Sequence, residues 1–120
     1  MGMIRVTVKI SSIHGRKVEN REALVDTGAA LTVIPRDLAR RLGIAPGKTV
    51  PIRLAGGRTT RMAVGSAFIR LNGRETPSTV LIASGGEVLL GAETLELLGA
   101  SVDLNRRKLK LAPKVALMAA

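Results

Sequence analysis

At 120 residues the chain is long enough for one domain of ordinary size and too short for two, and a content of 46% hydrophobic and 23% charged residues excludes a disordered polymer. It has no cysteine and one histidine, His14, which excludes disulfides, thiolate nucleophiles, cysteine metal sites and any triad or zinc site needing two histidines. The formal charge of +10 suits acidic partners, yet Phe68 is the sole aromatic residue and leaves no stacking platform for single-stranded bases. The cations are spread over Arg40 and Arg41, Arg53 to Arg61, and Arg106 to Lys110, as on a solvated face. There is no apolar run of about 18 residues to cross a membrane, and no basic start followed by an apolar stretch and a small-residue cleavage site; the expected location is cytoplasmic.

In chain order, Met3 to Ile10 alternates Ile4, Val6, Val8 and Ile10 with Arg5, Thr7 and Lys9, the pattern of a strand with one buried face. Ser12 to Lys17, with His14-Gly15, is a turn, and Val18 to Val25 is the return strand. Asp26-Thr27-Gly28-Ala29-Ala30 is a small-residue turn before the apolar Leu31 to Ile34. Pro35 opens a short helix in which Leu38 and Leu42 share a face, and Gly43 closes it. Ile44 to Val50 is expected as a loop. Pro51 to Leu54 and Thr59 to Val64 flank Ala55-Gly56-Gly57-Arg58 as a hairpin. Ser66 to Leu71, the Asn72-Gly73 turn and a strand at Thr79 to Ala83 follow, then Ser84-Gly85-Gly86 and the apolar Val88 to Leu90. Ala92 to Leu98 is a second short helix stopped by Gly99. Val102 to Leu104 and Lys108 to Leu111 form a last strand pair, with a frayed tail after it. Seven or eight short strands, frequent glycine turns and two short helices make a mainly all-β fold, a small closed or partly closed barrel, in one domain over residues 1–120 with its core at about 4–111 and a flexible C-terminal tail.

Asp26 needs an explanation. A carboxylate between Ala23-Leu24-Val25 and a run ending Leu31-Thr32-Val33-Ile34-Pro35 loses hydration and requires a partner or a proton. An Asp at a bend also serves as an Asx-turn, accepting backbone N–H groups, and needs no catalytic role. A second element, Val88-Leu89-Leu90-Gly91-Ala92, echoes the first: an apolar strand running into glycine with a short helix beyond it.

With Ala23-Leu24-Val25-Asp26-Thr27-Gly28-Ala29 followed at this distance by Val88-Leu89-Leu90-Gly91-Ala92, then Glu93-Thr94-Leu95-Glu96-Leu97-Leu98-Gly99, the sequence resembles the retropepsin-like family of single-domain, retroviral-type aspartic proteases over about residues 4–111. The resemblance implies an acid-protease-type barrel active as a two-fold dimer. Hydrolysis by that route uses two carboxylates sharing one proton: the ionised one takes a proton from water and the protonated one donates to the scissile carbonyl oxygen. Only Asp26 has Thr-Gly after it; Asp37, Asp103 and the six glutamates do not. The second carboxylate is therefore expected from a second copy of the chain. The resemblance further implies Asp26, Thr27 and Gly28 as the catalytic set. It implies Ala29, Ala30, Leu54, Ala55, Gly56, Gly57 and Arg58 as substrate-binding, the last five at the tip of a flap, and Leu89, Leu90 and Gly91 as support for the Asp26 loop. Val33, Ile52, Leu54, Val80 and Ile82 are candidates for side-chain subsites and equally for core packing. No metal or organic cofactor is indicated, and the expected partners are a second subunit and a peptide or protein substrate, with nucleic acid and membrane not expected. Many members carry an acidic residue soon after Asp-Thr-Gly-Ala and an Arg after the apolar-apolar-Gly element; here Ala30 and Leu31 replace the first and Ala92 the second. Two other classes stand beside the peptidase: a non-catalytic retropepsin-like module that binds peptides or dimerises, and a basic barrel that binds nucleic acid.

Overall fold

A computed structural model describes residues 3–113; the expected flexible tail beyond them lies outside the described residues. Strands β1 (Arg5–Ser12) and β2 (Val18–Val25) form the N-terminal hairpin, and the inward positions Val8 and Ile10 are 1% and 0% exposed, as the alternation requires. His14 lies exposed in its turn. Next come β3 (Thr32–Pro35) and helix α1 (Arg36–Leu42), which buries Leu38, Ala39 and Leu42 and ends at Gly43, where the Ile44 N–H bonds the Ala39 carbonyl. After β4 (Thr49–Arg53), β5 (Thr59–Leu71) and β6 (Arg74–Ala83) come β7 (Val88–Leu90), helix α2 (Ala92–Leu97), and the pair β8 (Ala100–Asp103) and β9 (Lys108–Leu111). Nine strands are present among the described residues, one more than the sequence suggests at most.

The main sheet has the order β1-β2-β7-β3-β6-β5-β4, and β1 also pairs with β5. That last pairing closes six strands into a barrel, so β4 is the one strand of this sheet left outside, attached to the N-terminal half of β5, while β8 and β9 form a separate two-stranded sheet. Closure removes the sheet edges that would otherwise expose unpaired backbone. The interior is aliphatic, with Ile10, Ile34, Leu38, Ile69, Val80 and Leu90 fully buried.

Of the boundaries that differ from the sequence reading, three have a reason in a neighbouring strand or turn. The two extended pieces expected on either side of Gly65 are one 13-residue strand, because β6 pairs with it without interruption from Ala63 to Leu71. Strand β6 starts at Arg74 rather than Thr79 although it contains Pro77. Its other neighbour, β3, reaches only Val80 to Ala83, so at Pro77 that side is open and the missing N–H costs nothing. The expected strand at Val102 to Leu104 lies at Ala100–Asp103, because the Asp103 carboxylate accepts the N–H groups of Asn105 and Arg106 and starts the turn there. Leu104, left in the turn, is 78% exposed.

Candidate active site

Strand β2 delivers Asp26. The Val25 N–H bonds the Ile4 carbonyl and the Asp26 N–H bonds the Leu90 carbonyl, both at 2.9 Å, so the chain is held on two sides up to the carboxylate. It then leaves the sheet in a tight loop in which the Ala29 N–H bonds the Asp26 carbonyl at 3.1 Å, and the Gly28 N–H donates to Asp26 Oδ1 at 3.1 Å. The Asx-turn expected of an Asp at a bend is thus present, and it fixes the side chain. Asp26 is half-buried, while Thr27 and Gly28 stand exposed beside it. The carboxylate is thus held in one orientation with one face open to solvent.

The loop is braced from behind by the second element. Strand β7 runs between β2 and β3, parallel to β2 (Leu24 opposite Leu89, Val25 opposite Leu90) and antiparallel to β3 at Val33 opposite Leu89. Helix α2 begins directly after it. The first N–H groups of a helix have no intrahelical acceptor, and Gly91 at the cap offers no side chain. The Asp26 loop supplies the acceptors: the Ala92 N–H bonds the Ala29 carbonyl at 2.8 Å and the Glu93 N–H bonds the Ala30 carbonyl at 3.0 Å. Helix and loop therefore satisfy each other through backbone alone, at Ala29, Ala30 and Ala92.

Gly91 sits where no side chain fits. A Cβ there would lie 2.4 Å from the carbonyl carbon and oxygen of Leu31 and 2.8 Å from the nitrogen of Thr32. Its own N–H donates to Thr32 Oγ1 at 3.0 Å, inside the protein. Thr32 Oγ1 is 2.7 Å from Thr94 Oγ1, and Thr94 donates to Ser78 Oγ at 3.2 Å. With Thr94 giving its hydrogen to Ser78, Thr32 gives its own to Thr94, and a buried relay runs from Gly91 to β6. Sequence reasoning missed Thr32, Ser78 and Thr94. A signal existed for the first: Thr32 alternates with Ile34 on the inward face of a strand, and a buried hydroxyl needs partners.

The structure brings Asp26 to Ala30 and Leu89 to Gly91 into one braced unit. Among the described residues no hydrogen bond joins the hairpin tip to that unit. Between β4 and β5, Leu54 to Arg58 is held by two bonds, Leu54 N–H to the Arg58 carbonyl at 2.7 Å and Gly57 N–H to the Leu54 carbonyl at 2.9 Å, and Ala55 to Arg58 are exposed. Of the tip residues, only Leu54 lines a cavity of about 710 Å³ between the hairpin and α1, and Asp26, Thr27 and Gly28 are not on its walls. Ile82 also lines that cavity. Val80, a subsite candidate, is 0% exposed in the core; Val33 and Ile52 are half-buried and off the cavity. Among the described residues no three His, Cys, Asp or Glu side chains gather to hold a metal ion, and no helix is long and apolar enough to cross a membrane.

Residues 8–97 match the family described as gag-polyprotein putative aspartyl protease. The chain belongs to that family. The matched span contains both Asp26-Thr27-Gly28 and Leu89-Leu90-Gly91. No curated protein sequence matches the chain. Among solved structures the fold is similar to that of EIAV protease in complex with the inhibitor HBY-793, with a TM-score of 0.67 at 24% identity over 86% of this chain and 94% of that one. The closed barrel is thus retropepsin-like, and the family and the fold together support an aspartic protease, a hydrolase of the peptidase class.

Proposed function

We propose that the protein is an aspartic endopeptidase that works as a homodimer, with Asp26 of two subunits meeting at a two-fold axis. The observation that carries the reading is the braced Asp26 loop: a carboxylate fixed by the Gly28 N–H, on a residue whose own backbone N–H is held by the Leu90 carbonyl, open to one side, in a chain that contains a single Asp-Thr-Gly. One such group cannot be acid and base at once. Two of them, close enough that both cannot ionise, hold one proton as a unit. The ionised carboxylate then takes a proton from a bound water, the water oxygen attacks the scissile carbonyl carbon, and the protonated carboxyl donates to the carbonyl oxygen. Collapse of that intermediate passes a proton to the amine nitrogen and breaks the C–N bond.

In this reading Thr27 ties the two loops together across the axis, and Gly28, Ala29 and Ala30 receive the peptide backbone. Leu54 to Arg58 forms a flap that closes over the peptide and keeps out all water but the attacking one. Residues 4–111 act as one unit, and no cofactor takes part. A second reading, a non-catalytic module that binds peptides or dimerises, draws on the separation of the 710 Å³ cavity from Asp26.

The test is cleavage of a diverse peptide mixture, read by mass spectrometry from about pH 4 to about pH 7, the range in which paired carboxylates exchange protons, with sedimentation run alongside. Asp26→Asn is expected to lower the rate by at least about 10²–10⁴-fold while the dimer persists. Equal cleavage by parent and variant removes Asp26 from the chemistry; a folded dimer that cleaves nothing favours the binding module.

A further inference from the structure

The cavity between α1 and the β4–β5 hairpin has no part in that mechanism. At about 710 Å³ it falls in the range of about 300–1,000 Å³ usual for ligand sites. Its apolar walls include Ile44, Met62 and Ile82, with Leu54 at the hairpin end. Among the described residues three cations line it, Arg36 and Arg40 from α1 and Arg61 from β5, and no Asp or Glu does.

The three cations are differently employed. Arg61 donates to the hydroxyl and carbonyl oxygens of Thr49. Arg41, next along α1 and off the cavity, is paired with Glu19 and Asp37. Arg36 and Arg40 have no carboxylate within 4.0 Å among the described residues. They are four residues apart on one helix face, where like charges repel. Two unpaired guanidinium groups above an apolar floor suit a ligand that combines carboxylate and hydrocarbon, since an arginine fork binds carboxylate through two parallel N–H bonds.

We propose that this cavity binds an acidic side chain of an extended peptide, its carboxylate held by Arg36 and Arg40 and its methylenes against Ile44, Met62 and Ile82. The inference rests on the peptidase reading and gives it a substrate class: peptides bearing Glu or Asp at a fixed distance from the scissile bond. Leu54 links the two regions, since it lines the cavity and stands at the base of the hairpin tip.

The experiment uses pairs of short peptides that differ by Glu against Gln at one position at a time. Binding is measured calorimetrically with the full-length Asp26→Asn protein, and cleavage with the parent. At one position the Glu peptide is expected to bind about tenfold more tightly than its Gln twin, with the advantage shrinking as salt is raised. Arg36→Gln with Arg40→Gln abolishes the advantage, whereas Arg106→Gln with Arg107→Gln, which removes the same charge elsewhere, keeps it. Thermal melting establishes that each variant is folded; should the double variant not fold, Arg40→Gln alone reads the same loss. No Glu preference at any position, or one that survives removal of both arginines, overturns the inference. Cleavage indifferent to charge does so while leaving the peptidase reading intact. Charge-selective binding without cleavage by the parent does the reverse.

Discussion

The Asp26 loop and the β4–β5 tip are both short, small-residue turns between strands, and they are built to opposite ends. Around Asp26 every backbone group named above has a partner: β7 on one side, the first N–H groups of α2 on the other, and a buried hydroxyl relay behind. The tip has two hydrogen bonds of its own and four exposed residues. A group that must present a carboxylate in one orientation gains from over-determination, because a small displacement at a reacting centre costs rate. In the flap role proposed for the tip, a segment that opens and closes over a peptide needs a low local stability. The glycines follow the same division: at Gly91 it is space that forbids a side chain, at Gly57 it is backbone conformation.

Substitutions in the two regions should therefore separate. The largest effect is expected for Gly91→Ala, whose new methyl would meet three backbone atoms that have nowhere to go; chemical denaturation should report a loss of about 3 kcal/mol, with peptidase activity lost as well. Thr32→Val comes next. It leaves the buried Gly91 N–H without an acceptor, which costs about 1–3 kcal/mol, whereas Thr94→Val shortens the relay without orphaning a backbone group and is expected to cost less in the same measurement.

At the tip, Gly57→Ala forces alanine to φ +86° and should cost about 1–2 kcal/mol. Gly56→Ala, with nothing within 4 Å of its Cβ and no positive φ, should leave stability within about 0.5 kcal/mol of the parent while kcat/KM falls as the tip stiffens. Equal destabilisation by Gly91→Ala and Gly56→Ala would erase the contrast between the regions.

The smallest effect lies away from both. The Arg41 guanidinium bonded to Glu19, with Arg21 beside it, holds the Glu19 carboxyl below its ordinary value of 4.5. A lowered folded-state value means the pair stabilises the protein above that ordinary value and stops doing so as pH falls through the lowered one. The Tm of the parent should exceed that of Glu19→Gln near neutrality by a small margin that salt reduces, and the two melting curves should converge in acid.

Much of this was legible in the residues themselves. Alternation at Ile4 to Ile10 read correctly because one face of β1 meets the core and the other meets water. Asn72-Gly73 read correctly because a two-residue hairpin turn demands positive φ at both positions, observed at 49° and 79°. Asp26-Thr27-Gly28 and Leu89-Leu90-Gly91 stood out because a carboxylate and a glycine in apolar strands each need a special reason. What failed were boundaries set by a neighbour: the unbroken β5 and the early start of β6 depend on their pairing with each other, which no local pattern in either announces.

The sequence by itself determined the mainly β class of fold and the turns, because these follow from period and backbone conformation, both local properties, and its resemblance to the retropepsin-like family singled out Asp26. Only the tertiary structure decided that β7 passes between β2 and β3, that α2 caps itself on the Asp26 loop, that Thr32, Thr94 and Ser78 meet inside the barrel, and that Arg36 and Arg40 line a partly apolar cavity with no carboxylate partner among the described residues. These are contacts between residues up to about sixty positions apart. The free energy that selects them comes from closing the barrel and filling its core, a property of the whole chain rather than of any segment.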